Sequence, residues 1–219
     1  MARLRAPSPH LVRRAAASSV AVVLLVAAVS TGASAQPAAW RTHAIARTGS
    51  IALPSTWRDF MQKRGLNSAI QRASARNPKV RPLLYALTVP MGSLVRFVAA
   101  DLARRSLATG YVTDLIVLVQ RSSVRLDSWG VRMLNALRRS PIVVGAVHRG
   151  SLRLSAGRAL TFRSVQRVQA GDRFRRGAVV QYAVARNGSI YLLTFTTTPA
   201  QLRAYAPVFD ESARSLRLK

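Results

Sequence analysis

Ala178-Val179-Val180-Gln181-Tyr182-Ala183-Val184-Ala185-Arg186-Asn187-Gly188-Ser189-Ile190-Tyr191-Leu192-Leu193-Thr194-Phe195-Thr196-Thr197 decides the fold. Two runs rich in β-branched and aromatic residues flank Asn187-Gly188. That pair takes positive φ at both central positions of a two-residue turn, the kind of turn whose twist matches antiparallel strands. The stretch predicts a β-hairpin, 178–185 against 190–197. A helix should follow. Thr198 can cap it, Pro199 suits the first turn because its missing N–H costs nothing there, and Gln201 stands at the capping-box position. Leu202, Tyr205, Phe209, Ala213 and Leu216 then recur at three- and four-residue steps, the stripe of a helix with one side on a sheet.

Upstream, 142–154 and 160–168 read as further strands, with a turn at Ala170-Gly171-Asp172. Before them Leu126, Trp129, Met133, Leu134 and Leu137 form a helical stripe opposite Arg132, Asn135, Arg138 and Arg139, and Pro141 closes the element. Residues 95–102 and 111–120 are Val-, Leu- and Ile-rich and of strand length, with Gly110 in the turn between them. Nearer the start, 50–53 predicts a short strand stopped by Pro54. Residues 56–61 predict a helix ended by Gly65 as a left-handed cap, and 67–76 and 80–87 two more short helices. Residues 36–47, with Pro37 and no period, predict a flexible lead-in. Trp57 and Trp129 are expected in the core. Sequential strands joined by hairpins, with helices between and after them, give an α+β class: an antiparallel sheet covered by helices, as one domain over 48–219.

Residues 1–35 stand apart. Arg3, Arg5, Arg13 and Arg14 precede an apolar run from Ala15 to Val29, which ends at Ala33-Ser34-Ala35. Basic, apolar and small-residue segments in that order predict a secretory signal cut before Gln36. The apolar run is shorter than the ~20 residues a membrane-spanning helix needs, and no second span follows. The expected product is therefore exported, to the cell envelope or beyond.

Charge is the dominant compositional fact. Of 219 residues, 34 are Lys or Arg, only 3 of these Lys, against 7 acids. Without residues 1–35 the balance is 30 basic residues to 7 acids, a net +23, which attracts polyanions such as lipid headgroups or cell-wall polymers. No cysteine is present, which excludes thiol catalysis, disulfides and Cys-ligated metals. His43 and His148 lie in different regions, no Gly-x-Ser-x-Gly elbow or phosphate-binding glycine loop occurs, and the acids are scattered. No catalytic residue, cofactor or metal site is therefore expected, and nucleic acid is not the expected partner.

One cluster rises above the general basicity. Residues 149–176 carry Arg149, Arg153, Arg158, Arg163, Arg167, Arg173, Arg175 and Arg176 against Asp172 alone. The period of two puts Arg149 and Arg153 on one face of their strand and Arg163 and Arg167 on one face of the next. The expectation is a single cationic sheet surface of Arg149, Arg153, Arg163 and Arg167, rimmed by Arg173, Arg175 and Arg176, that binds anions.

Two segments carry a resemblance. Ile51-Ala52-Leu53-Pro54-Ser55-Thr56-Trp57 matches a strand ending in Leu/Tyr-Pro-x-x-Trp, and 191–197 is followed by Tyr205, Phe209 and Ser215-Leu216. Together they resemble the PsbP-like fold, in the branch that includes the LpqN-type exported lipoproteins of actinobacteria; Asn77-Pro78 before an apolar helix is similar to an insertion of that branch. The chain departs from the pattern in lacking the lipoprotein cysteine and in having Leu216 where Phe is usual. The resemblance implies an α-β-α sandwich and an accessory or binding module with no catalytic residues to carry over. The expected function is a non-enzymatic exported protein docking on an envelope protein; the alternative is a peripheral binder of anionic lipid or cell-wall polymer through the arginine-rich face.

Overall fold

The hairpin forms as its turn chemistry dictates: Asn187 and Gly188 both have positive φ, 47° and 65°, and Arg186 faces Ser189 across the turn. A computed structural model describes residues 39–88, 92–170 and 173–219. The described elements are β1 (Trp40–Ile45), β2 (Gly49–Pro54), β3 (Trp57–Asp59), α1 (Leu66–Arg76), α2 (Arg81–Ala86), β4 (Val95–Asp101), α3 (Arg104–Ala108), β5 (Asp114–Arg121), α4 (Leu126–Arg139), β6 (Val143–Leu154), β7 (Gly157–Ala170), β8 (Arg173–Arg186), β9 (Ser189–Thr197), α5 (Leu202–Arg214) and β10 (Arg217–Leu218). Seven strands make one antiparallel sheet in the order β3-β4-β5-β9-β8-β7-β6, and β1, β2 and β10 make a small second sheet.

Both faces of the large sheet are covered, so the class is α+β with helices on either side, as the periodicity predicts. On one face Phe97, Leu115, Tyr182, Leu193 and Phe195 bury against Tyr205 and Phe209 of α5 and against Ile51 and Leu53 of β2. Phe195 stacks on Phe209 with ring centroids 4.6 Å apart and meets Trp57 and Tyr182 edge-on, a geometry that adds to plain area burial. On the other face α1, α2 and α3 cover Val98, Ala100 and Ile116, while α4 covers Leu160, Phe162, Ala183 and Ile190. Thr198 caps the turn before α5, its hydroxyl accepting from the Gln201 N–H at 3.2 Å. Beyond α5 the Ser215 hydroxyl accepts from the Ala52 N–H at 2.8 Å and fastens the chain's end to β2.

Three expectations change. Residues 57–59 form strand β3 and not a helix, because Trp57 reaches the core when it pairs with Asp101 at the sheet edge. Gly65, at φ 71°, begins α1 and does not end a helix before it. Residues 40–45, expected within a flexible lead-in, pair along their whole length with β2, and Ile45 is wholly buried. The buried anchors Ile45 and Trp57 are single residues in polar surroundings, too sparse to register as a period. The predicted signal segment lies outside the described residues. Among the described residues no helix is long and apolar enough to cross a membrane.

Candidate functional site

The predicted arginine surface is divided between the two faces of the sheet. β6 and β7 join through the two residues Ser155 and Ala156, so Leu154 faces Gly157 and every pair matches an odd number with an even one. Arg149 therefore lies opposite Phe162, on the face covered by α4, and Arg153 opposite Arg158 on that same face. Arg163 and Arg167 point to the α5 side, with Val180 and Arg176 as their neighbours on β8. The period of two holds within each strand, but an even-numbered turn reverses the parity between them.

Two acids engage three of these cations. Asp127, in the first turn of α4, accepts two hydrogen bonds from Arg158 at 2.8 and 3.0 Å and lies 3.6 Å from Arg149. The Arg158 hydrogen bonds hold its carboxyl below the usual carboxylate range. Arg163 lies 3.8 Å from Asp210 of α5, whose carboxylate also accepts from the Tyr182 hydroxyl at 2.5 Å. These arginines secure helices to the sheet.

Arg167, Arg175 and Arg176 belong to an arm. β8 pairs with β9 only from Ala178 onward, and β6 reaches β7 only as far as Gln166, so 167–170 and 173–176 run on as a two-stranded ribbon, anchored at its base by the Arg167 N–H, which donates to the Ile142 carbonyl at 2.6 Å. On it Arg167 faces Arg176, Val168 faces Arg175, and Gln169 faces Phe174. Like charges directly opposite each other weaken a ribbon. Phe174 is 68% exposed, more than any other large hydrophobic side chain among the described residues. The structure brings Arg167 and Arg176 together, and leaves Arg149 and Arg153 on the other side.

A second concentration of arginine went unseen in the sequence. Where edge strand β3 meets α1 and α3, a cleft of about 380 Å³ is lined by Arg58, Arg72, Arg76 and Arg104 over a floor of Ala69, Ala73 and Leu102. An adjoining cleft of about 390 Å³ opens toward β1 and is lined by Arg41, Arg58, Arg64 and Arg72, with His43 and Asp59. Arg58 and Arg72 form the wall between them. Both volumes fall in the range of small-ligand pockets. The six arginines come from β1, β3, the segment before α1, α1 itself and α3, so no local run in the sequence announces them.

No family model matches the chain, and no curated protein matches it. Among solved structures it is similar to a cyanobacterial PsbP from Synechocystis sp. PCC 6803, at 12% identity and a TM-score of 0.47, over 87% of this chain and 98% of that one. It is also similar to LpqN of Mycobacterium tuberculosis, described as involved in cell envelope biogenesis, at 8% identity and a TM-score of 0.46, over 77% of this chain and 82% of that one. A protein of unknown function from Pseudomonas aeruginosa matches at 16% identity and a TM-score of 0.43, over 50% of this chain and 74% of that one. The first two are of the kinds named by the sequence resemblance.

Proposed function

We propose that this protein is an exported, non-enzymatic binding module that docks on a protein of the cell envelope through its β7–β8 arm. The observation that carries the reading is the arm itself. It extends past its neighbouring strands, exposes Phe174 and sets Arg167 against Arg176. An exposed aromatic ringed by guanidinium groups suits an acidic protein surface with an apolar pocket, since aromatic and arginine anchors dominate such interfaces. The export signal read from residues 1–35 supplies the compartment. The non-enzymatic part rests on dispersion of the reactive groups. His43 packs beside Phe97 of β4, while His148 is exposed on β6, at the far edge of the sheet.

The test is a pull-down of residues 36–219 from an envelope extract at low and high salt, alongside Phe174→Ser and Arg167→Ser/Arg176→Ser. A discrete protein retained at high salt by the wild type and lost with Phe174→Ser is the expected result. Retention unchanged in Phe174→Ser overturns the arm as the contact. The like-charge pair Arg167–Arg176 favours one alternative, peripheral binding of anionic lipid or cell-wall polymer. Lipid or polymer released at high salt, and no longer bound by the double arginine variant, would replace the protein partner with that surface.

A further inference from the structure

We propose that the paired clefts beside α1 form a binding site for a ligand carrying two phosphate groups, held at the Arg58–Arg72 wall that the clefts share. The lining arginines come from several separate elements, so their concentration is a property of the fold. Among the described residues no carboxylate forms an ion pair with, or accepts a hydrogen bond from, Arg41, Arg58, Arg64, Arg72, Arg76 or Arg104. The one acid in the lining, Asp59, uses its Oδ1 to accept from the Met61 N–H at 2.8 Å.

Packing six cations around two concave spaces with one acid is repulsive in isolation and favourable once an anion enters. Arginine's planar fork matches two oxygens of a tetrahedral phosphate, which a lysine's point charge does not. The alanines and Leu102 on the floor of the first cleft leave room for atoms attached to the phosphate. This site is separate from the docking arm and stands or falls without it.

Inorganic pyrophosphate is the probe. Calorimetry on the protein from residue 36 onward should show one pyrophosphate bound per chain. Arg58→Ser/Arg72→Ser should weaken binding about a hundredfold, at about tenfold for each charge-assisted hydrogen-bonding arginine removed. Arg58→Lys/Arg72→Lys, which keeps the charge and removes the fork, should fall between. Arg138→Ser/Arg139→Ser, which removes the same charge from the exposed end of α4, should leave affinity unchanged; urea unfolding of each variant confirms that it is folded. Several weak equivalents per chain, or equal weakening in the α4 variant, would mean general electrostatic attraction and overturn the site. So would full affinity in Arg58→Ser/Arg72→Ser. Phosphatidylcholine vesicles with and without cardiolipin then identify the source. Cardiolipin-dependent binding displaced by pyrophosphate assigns a lipid headgroup, and pyrophosphate binding without vesicle binding assigns a soluble phosphorylated ligand.

Discussion

Asp114 opens β5 with a side chain buried to 2% exposure and an Oδ1 that accepts no hydrogen bond. The hydroxyls of Tyr111 and Thr196 lie beside it, but neither closes a well-formed bond onto that oxygen. Burial, more than any neighbour, pushes its carboxyl well above the usual carboxylate range. A folded pKa above the unfolded one means that folding favours the proton. The stabilisation from protonated Asp114 is therefore complete below the unfolded value and is lost as pH rises toward the folded one. Asn carries no such titration. Asp114→Asn should gain on the wild type as pH rises from about 4, by about 1.4 kcal/mol for each pH unit crossed below the folded pKa. Urea midpoints near pH 4.5 and pH 7 read this directly, and a constant difference between the two proteins would show that the carboxyl is not the cause.

At the scale of elements, α4 shows how a helix is held by what it lacks. Gly130 faces the sheet, where a Cβ would come within 2.2 Å of Leu160 Cδ1. Helix propensity alone says that Gly130→Ala should stabilise by about 1 kcal/mol. Leu160, however, is 1% exposed and wedged in the cluster with Phe162 and Leu137, and overpacking a filled core costs about 1–3 kcal/mol. Packing should win, giving a net loss of about 1 kcal/mol by chemical denaturation; a gain would mean that α4 floats on the sheet. The stripe that fixes this helix was legible, as were β6, β9, α5 and the middle of β7 and β8, because each repeats its period over several turns or pairs; the run of β7 and β8 on to Ala170 and back from Arg173 was not, since its polar and charged residues carry no alternation. Elements of a few residues were not. β3 is three residues long and α3 five, too short for any period, and β1 exists because β2 lies next to it, a tertiary fact that local composition does not hold.

The candidate site divides the same way at the scale of the whole molecule. The arginines of 149–176 were visible because they form a run, but their split across two faces hangs on the length of the Ser155-Ala156 turn. The cleft arginines, at positions 41 to 104, meet only in the fold. Electrostatics sums over all of them. The chain carries 34 basic residues and 7 acids, and the ion pairs that Asp127 and Asp210 form join side chains 25% to 56% exposed. Exposed pairs of that kind contribute about 0–1 kcal/mol each, so repulsion among the excess cations should outweigh them. Screening then stabilises the fold. The urea midpoint should rise as NaCl goes from about 0.01 M to 0.5 M, where the Debye length falls from about 30 Å to less than about 8 Å. The clefts sharpen the prediction, because six arginines and one acid line them. Arg58→Ser/Arg72→Ser should be more stable than the wild type at low salt, and the advantage should fade as salt is added. A midpoint that falls with salt would mean that ion pairs outweigh repulsion across the molecule. A low-salt loss of stability in the double variant would mean that these two arginines hold the fold together, and that the crowding in the cleft is not repulsive.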